Sequence, residues 1–422
     1  MDLVRYPEYK DSSIGWIGEI PEYWEIKRFK SCFSYVKGKK PLYETDSYDK
    51  DKFPYLSMEY LRENESTTYC LEDHVSIKVN DGDLLLLWDG SNAGEFILGK
   101  HGYLSSTMVK LILKEILSFD YSKYCCQVIE PVLKKLTIGM GIPHVNSNIL
   151  YNMPISVPPL TEQKQIANYL DNKIAKIDKT IENNQKLIEL LEEKRVALIN
   201  QVVTKGLNPD VEMKDSGVEW IGEIPIHSEI LPFRRICTLN QGLQYPQDKR
   251  LITKTKNSLL YITVKYLNSK DKIEEYIPNP IKRVICTEDD VLLARTGATG
   301  EVFTNLNGVF HNNFFKINYN KKIYKNYLVY YLRMDALKEI LLLKAGVTTI
   351  PDLNHDSFLE TPFIFHEFNE QKKIADYLDK ENLKINKSIQ KINDNIFLLE
   401  EYKESLIYNV VTGKVDVRGE DI

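Results

Sequence analysis

The chain repeats itself over a long interval. Residues 11–21 (DSSIGWIGEIP) return as 215–225 (DSGVEWIGEIP), an offset of 204, and residues 162–171 (EQKQIANYLD) return as 370–379 (EQKKIADYLD), an offset of 208. Solenoid units run roughly 20–50 residues, so this period marks two domain-sized copies. The copies agree at their edges and differ in their middles. One scaffold presenting two unlike surfaces is the expectation. At 422 residues the chain has room for two or three domains, each with its own core.

Both copies keep one order of parts: the Trp-Ile-Gly-Glu-Ile-Pro turn, a mixed region, then a long helix. The mixed regions carry short apolar runs at 83–88, 109–113, 290–295 and 314–317, punctuated by Gly, Asn and Asp, which read as strands. Apolar residues at helical spacing predict short helices over 121–136 and 325–343. An α+β domain is expected in each copy.

The long helices give the clearest pattern. Stepping by seven from Leu170 gives Ile177, Asn184, Leu191 and Leu198, with Ile174, Ile181, Ile188, Arg195 and Val202 as companions. The second copy reads Leu378, Ile385, Ile392, Leu399, Leu406 and Asn382, Ile389, Ile396, Lys403, Val410. A 3.5-residue repeat this long predicts a coiled coil. With a whole domain between them in sequence, the helices are expected to pack antiparallel about a pseudo-twofold axis, with Asn184 and Asn382 setting the register. The alternative is that each helix packs on its own domain. Thr161 and Asn369 are the expected N-caps, and Gly206 and Gly413 the expected stops. From Glu162 to Val203 such a rod would be on the order of 60 Å long, holding two globular heads rigidly apart. The implied layout is recognition domain 1 over 1–158, spacer helix 1 over 159–207, recognition domain 2 over 208–366, and spacer helix 2 with its tail over 367–422.

Three segments match between the middles: 55–61 with 261–267, 82–91 with 289–298, and 141–146 with 349–354. In the second pair the apolar half is kept while the loop changes, Trp88-Asp89-Gly90-Ser91-Asn92 against Arg295-Thr296-Gly297-Ala298-Thr299. A kept scaffold with an altered tip is what a recognition element requires, although a plain β-turn accounts for the glycines equally well.

Several functions are excluded. No apolar run approaches the roughly 20 residues of a membrane span, and Met1-Asp2-Leu3-Val4-Arg5-Tyr6 does not open as a signal peptide. The six cysteines include no CxxC pair, and none has a His partner at zinc-finger spacing, so reduced thiols and a cytoplasmic location are expected. The seven histidines lack metal-ligand spacing. No phosphate-binding GxxxxGK[ST] occurs, and Gly139-Met140-Gly141 lacks the remaining glycine of a dinucleotide loop. Asn152-Met153-Pro154-Ile155 only faintly resembles the Asn-Pro-Pro-aromatic motif of adenine methyltransferases, and its counterpart, 360–363, does not match it. A net charge of −5 argues against a uniformly basic coat but leaves room for a local basic groove.

The duplicated layout, the Trp-Ile-Gly-Glu-Ile-Pro turn, the Glu-Gln-x-x-Ile-Ala-x-Tyr-Leu-Asp helix start, the Gly-Asp-Leu-Leu strand and the Leu-Leu-Glu-Glu…Val-Val-Thr helix end together resemble the DNA specificity subunit of type I restriction–modification systems. The resemblance covers essentially the whole chain. It implies two target-recognition domains, each reading one half of a split site in double-stranded DNA. It also implies paired helices that act as a ruler and dock two adenine-N6 methyltransferase (modification) subunits, which translocating restriction subunits then join. S-adenosylmethionine, ATP and Mg are implied on those partners, and no cofactor, metal or catalytic residue on this chain. Under this resemblance Arg295 would pair bidentately with guanine, and Asn92, Asn146, Gln244, Asn312, Asn313 or Asn354 with adenine. Lys37, Lys39, Lys40, Lys249 and Arg250 would contact phosphate. Trp88, Ser91, His144, Thr296 and Thr299 complete the candidate DNA-binding set. Two departures stand out. Trp88-Asp89 occupies the place of a basic residue followed by Thr, so Asp89 should accept from cytosine or point away from phosphate. Residues 365–368 replace the proline pair Pro158-Pro159, which puts the entry into the second helix in question. A protein-binding scaffold without DNA contact is the rival reading, and the acidic pI of about 5.9 favours it mildly.

Overall fold

In the computed structural model residues 4–63, 68–139, 141–346 and 351–419 are described. Met1, Asp2 and Leu3, Met140 of the Gly139-Met140-Gly141 loop, and Thr349 and Ile350 of the third matched segment lie outside the described residues. The chain divides into two compact units, residues 1–184 with 394–422 and residues 185–393. Each division falls inside a long helix, Leu160–Lys205 of 46 residues and Phe368–Val411 of 44. Each unit therefore contains the first part of one long helix or the second part of it, together with the complementary part of the other.

A four-stranded antiparallel sheet sits at the heart of either unit. In the first, the order is Phe96–Leu98, Leu84–Leu87, Met108–Leu113, Phe33–Lys37. In the second it is Val302–Phe303, Val291–Ala294, Phe314–Tyr319, Cys237–Gln241. The apolar runs are continuous because both faces of the central strand are covered. Period-two alternation then sorts the residues into separate cores. Leu84 and Leu86 join the main core while Leu85 packs with Leu56, Val79 and Leu104. Val291 and Leu293 likewise join one core, and Leu292 and Ala294 another. Registers match too: Val109 opposes Lys37 and Leu86, as Phe315 opposes Gln241 and Leu293.

The outer sheets differ. The second unit has a four-stranded sheet whose Ser258–Ile262 and Gly308–Phe310 strands run parallel. Among the described residues the first has a single parallel bridge, Tyr55 to Tyr103, at the matching place, beside separate two- and three-stranded pieces. The expected helix over 121–136 is Phe119–Lys135. Its counterpart over 325–343 is two helices, Lys325–Leu332 and Asp335–Ala345, because the chain leaves helical geometry at Arg333 and Met334.

The repeated helix start is a buried hydrogen-bond anchor. Gln163 donates through Nε2 to the carbonyls of Ile116 and Pro158, both at 2.9 Å, and its Oε1 accepts from Ser118 N at 2.8 Å. Gln371 donates to Lys322 and His366 at 3.0 and 2.8 Å and accepts from Tyr324 N at 2.8 Å. A fully buried amide with every bond met by backbone fixes the helix entry. The replacement of the proline pair by 365–368 thus leaves that entry unchanged, since His366 supplies the same carbonyl that Pro158 does. The repeated aspartates accept from tyrosines, Asp171 from Tyr124 at 2.5 Å and Asp379 from Tyr330 at 2.6 Å. The expected N-caps are corrected. Both helices begin one residue before Thr161 and Asn369, and the first-turn N–H groups bond to the carbonyls of Pro159 and Glu367. Gly206 and Gly413, both with φ of +73°, do end the helices in the left-handed conformation that glycine adopts without penalty.

Antiparallel helix pairing is found in each unit separately. In the first, Lys403 reaches Asp178 at 2.6 Å, and Ile166, Leu170 and Ile177 share a core with Leu406, Ile407 and Val410. In the second, Arg195 donates to Asn386 at 2.5 Å, and Val202 and Val203 share a core with Ile374 and Leu378. Asp178 to Arg195 is the same step along one helix as Lys403 back to Asn386 along the other, so the two units give one register independently. Each helix also packs on its own domain, so the two expectations for the helices hold together. Tyr121 OH donates to Ser156 O and lies 3.2 Å from Val411 O, while Tyr327 OH donates to Ile364 O and lies 3.5 Å from Val203 O. Either hydroxyl thereby sits against an end carbonyl of the long helix that terminates in its unit. Of the two seam asparagines, Asn382 donates to Tyr330 OH at 3.0 Å, which gives it a role in domain packing rather than in helix register.

Candidate nucleic-acid interface

In the first unit the strand Leu84–Leu87 runs into a glycine loop tied to the segment 143–145. Gly90 N donates to Pro143 O and Val145 N to Trp88 O, both at 2.9 Å. Gly90 has φ of +110°, where a side chain would be strained. Asn146 then caps the helix Ser147–Asn152, accepting from Asn148 N and Ile149 N. The second unit repeats part of this geometry. Leu353 N donates to Arg295 O at 2.9 Å, Gly297 has φ of +81°, and Asn354 caps His355–Leu359 by accepting from Ser357 N.

On these matched frames the side chains diverge. Lys37, at the end of its strand, holds Asp89 at 3.0 Å and lies 5.6 Å from the centre of the Trp88 ring. Asp89 is therefore neutralised by its own domain, which answers the question its sequence position raised. Tyr35 lies between Trp88 and Tyr151, with ring centres 5.0 and 5.5 Å away, and burial with the Tyr151 hydrogen bond pushes its phenol up to about 12. Position 241, equivalent to Lys37, is glutamine and donates to Asn312 O at 3.4 Å. Arg295 stands where Trp88 does. It pairs with Asp352 at 2.7 Å, donates to Leu353 O at 3.2 Å, and lies 5.4 Å from the Phe315 ring centre. A guanidinium held on several sides is pre-organised to present its remaining edge.

The candidate residues fall into three groups. Lys37, Trp88, Ser91, Asn92 and His144 meet around the first glycine loop; Gln244, Arg295, Thr296, Asn312 and Asn313 meet around the second, where Gln244 accepts from Asn312 at 3.4 Å and Arg295 N donates to Asn313 O at 2.7 Å. Lys39, Lys40 and Lys249 are exposed nearby, with Lys40 3.6 Å from Glu44. The remainder are committed to the fold. Thr299 is 6% exposed, and its hydroxyl lies 3.1 Å from Arg295 O and 3.0 Å from Pro351 O. Arg250 donates to Tyr245 O and pairs with Glu275 at 2.8 Å. Asn146 and Asn354 use their side-chain oxygens as caps.

Four residues at these loops escaped the sequence reading: Tyr35, Tyr151, Gln241 and His311. Alternation along Phe33–Lys37 places Tyr35 on the face of Lys37, a signal that was available. His311 accepts from Asn313 N at 3.1 Å, and burial followed by the Arg250 charge lowers its pKa. Among the described residues no group of acidic, His and Cys side chains could hold a metal ion. The six cysteines are buried and free, and burial pushes the Cys237 thiol up to about 12.

The model of the type I restriction modification DNA specificity domain matches residues 21–193 and again 235–396. The type I restriction enzyme MjaVIII specificity subunit of Methanocaldococcus jannaschii is 31% identical over 94% of either chain. This chain belongs to that specificity-subunit family. The EcoBI specificity subunit of Escherichia coli is 24% identical over 60% of this chain and 56% of its own length. Solved structures agree in fold. A chain from a study of complex assembly and conformational transition in a type I R-M system superposes with a TM-score of 0.71 at 14% identity, covering 95% of this chain and 99% of that one. The HsdS subunit of Thermoanaerobacter tengcongensis gives 0.55 at 14% identity, covering 94% and 98%. Both family matches span a glycine loop, and among the described residues no helix is long and apolar enough to cross a membrane.

Proposed function

We propose that the chain is the targeting subunit of a type I restriction–modification complex and that each unit reads one half of an interrupted, asymmetric DNA site. The observation that carries this reading is the matched pair of glycine loops, tied to the frame by the same two backbone bonds (Trp88 N to Thr107 O with Val145 N to Trp88 O, and Arg295 N to Asn313 O with Leu353 N to Arg295 O) and unlike in exposed chemistry. Arg295, steadied by Asp352, pairs with guanine, while Gln244, Asn312 and Asn313 read adenine or the neighbouring backbone. In the other half Trp88, Ser91, Asn92 and His144 supply the base contacts, and Lys37, Lys39, Lys40 and Lys249 fix position on phosphate. Asn146, Asn354, Thr299 and Arg250 act indirectly, by holding the reading loops. The helix pair sets the gap between half-sites, near one helical turn of about 34 Å, and its solvent-facing apolar residues, among them Leu190 and Leu383, dock the methyltransferase subunits. Chemistry, with S-adenosylmethionine, ATP and Mg, belongs to those partners.

Mapping N6-methyladenine across the genome with and without the gene tests the reading. A two-part motif that vanishes on deletion supports it, and an unchanged methylation pattern overturns it. In vitro, affinity for the motif should fall steeply with salt, by about 0.9 log units per log unit for each phosphate neutralised; a flat response would favour the scaffold reading.

A further inference from the structure

The outer lobes of the two units carry opposite charge at matching places. With the offset of 206 that relates the matched segments 55–61 and 261–267, residues 43–80 correspond to 249–286. The later stretch holds nine Lys and Arg against three carboxylates, and the earlier holds four against nine. A frame common to both cannot require either balance. Of the nine cations only Arg250 is ion-paired among the described residues, to Glu275 at 2.8 Å. Lys254, Lys256, Lys265, Lys270, Lys272 and Lys282 are exposed. An excess of like charge on one lobe destabilises it by self-repulsion, so folding alone does not favour it.

This basic lobe is fastened to a reading loop. Its strands Ser258–Ile262, Tyr276–Pro278 and Ile285–Cys286 belong to the four-stranded outer sheet. From the first of them the Tyr261 hydroxyl accepts from Tyr245 N at 3.1 Å and donates to Leu243 O at 2.7 Å. Those two bonds straddle Gln244, a candidate base contact. Leu243 and Tyr245 also pack against Tyr261, Ile277, Val284 and Val309. The Arg250 guanidinium lies 4.9 Å from the Tyr261 ring centre and donates to Tyr245 O. The cations therefore stand on the same body that fixes this reader. The lobe of the first unit instead exposes Asp46, Asp49, Asp51, Glu59, Glu63 and Glu72, a surface that repels phosphate.

We infer that the lobe at 249–286 grips the phosphate backbone of double-stranded DNA flanking the second half-site, whatever its sequence, while the lobe at 43–80 stays clear of DNA. The chain's sequence-independent hold on DNA then resides in its second unit. Phosphate contacts of this kind fix position and supply essentially all non-specific affinity. This inequality between the halves rests on the DNA reading above.

A fluorescent duplex of about 30 base pairs, roughly three helical turns, lacking the methylated motif, is titrated into the full chain over a range of NaCl. Lys254→Gln, Lys256→Gln, Lys270→Gln and Lys272→Gln together should weaken binding at least about tenfold at low salt and lower the log–log slope by about 2–4. Lys50→Gln with Lys52→Gln, in the first lobe, should change affinity less than about twofold. Selection from randomised DNA should return the native motif with the quadruple variant, because Gln244 and Arg295 are untouched. An unchanged slope, an equal loss per charge in the first lobe, a changed motif, or tighter binding to phosphatidylglycerol vesicles than to the duplex would each overturn the inference. If the native chain bound no duplex of any sequence, the DNA reading itself would fall, and the inference with it.

Discussion

The two units spend their repeated residues on the same bonds and their unrepeated ones on different surfaces. Gln163 and Gln371 each join three backbone groups. Tyr121 and Tyr327 each reach a carbonyl at the end of a long helix. At the glycine loops the backbone bonding persists, but one unit shows Lys37, Asp89 and an aromatic stack while the other shows Gln241 and an Arg295–Asp352 pair. The difference teaches where substitution is tolerated: a buried amide with three backbone partners admits no alternative, whereas a loop tip whose backbone is fixed by glycine admits many.

The sharpest way to break the comparison is to remove an anchor on one side only. Gln163→Leu should destabilise the first unit, and Gln371→Leu the second, by at least about 3 kcal/mol, because each change strands three buried backbone groups at roughly 1–3 kcal/mol apiece. Hydrogen exchange followed by mass spectrometry reports each unit separately. Equal opening of both units by either variant would show that the anchors are not equivalent local devices.

Next comes the loop chemistry. Arg295→Ala should cost about 1–3 kcal/mol and relax base preference at one position of one half-site. Lys39→Ala should weaken binding to all sequences alike and shrink the salt slope by nearly one unit. Selection from randomised DNA measures both. If Arg295→Ala weakened binding without changing preference, Asp352 and Leu353 would be holding the guanidinium for the fold and not for a base.

How legible this was in sequence follows the same division. The strands, the long helices, their antiparallel pairing and their glycine stops could be read because each rests on periodicity or on a residue with a special backbone. Helix entry was misread at Thr161 and Asn369, where good capping residues lie inside the first turn; the anchoring was done by the glutamines two positions on. The break at Arg333 and Met334 left no proline or glycine to announce it. Among the candidate contacts, residue type alone could not separate Asn312, at the loop surface, from Asn354, which caps a helix, nor reveal that Thr299 is buried. Those distinctions depend on partners distant in sequence, such as Pro351 for Thr299 and Glu275 for Arg250.

The smallest expected effect is one of pH, and it too separates the units. Where the first has Pro158, the second has His366, fully buried, with Nδ1 accepting from Ser228 Oγ at 2.7 Å and Nε2 donating to Val203 O at 3.0 Å. The charged groups facing it are Glu370 at 4.0 Å and, beyond that carboxylate, His227. Burial outweighs the help from Val203 and Glu370 and lowers the His366 pKa from its ordinary 6.5. The folded ring thus stays neutral where the unfolded chain would take up a proton, so stability is intact above about 6.5 and is lost as pH falls toward the depressed folded value. One proton is involved, so the loss is smaller than that of removing an anchor. Denaturation followed by hydrogen exchange at pH 7.5 and 5.5 should show the second unit weakening more than the first, and His366→Gln should remove most of that difference. Any remainder belongs to His311, shifted in the same direction, and a remainder as large as the original difference would mean that the His366 bonds to Ser228 and Val203 adapt to the protonated ring.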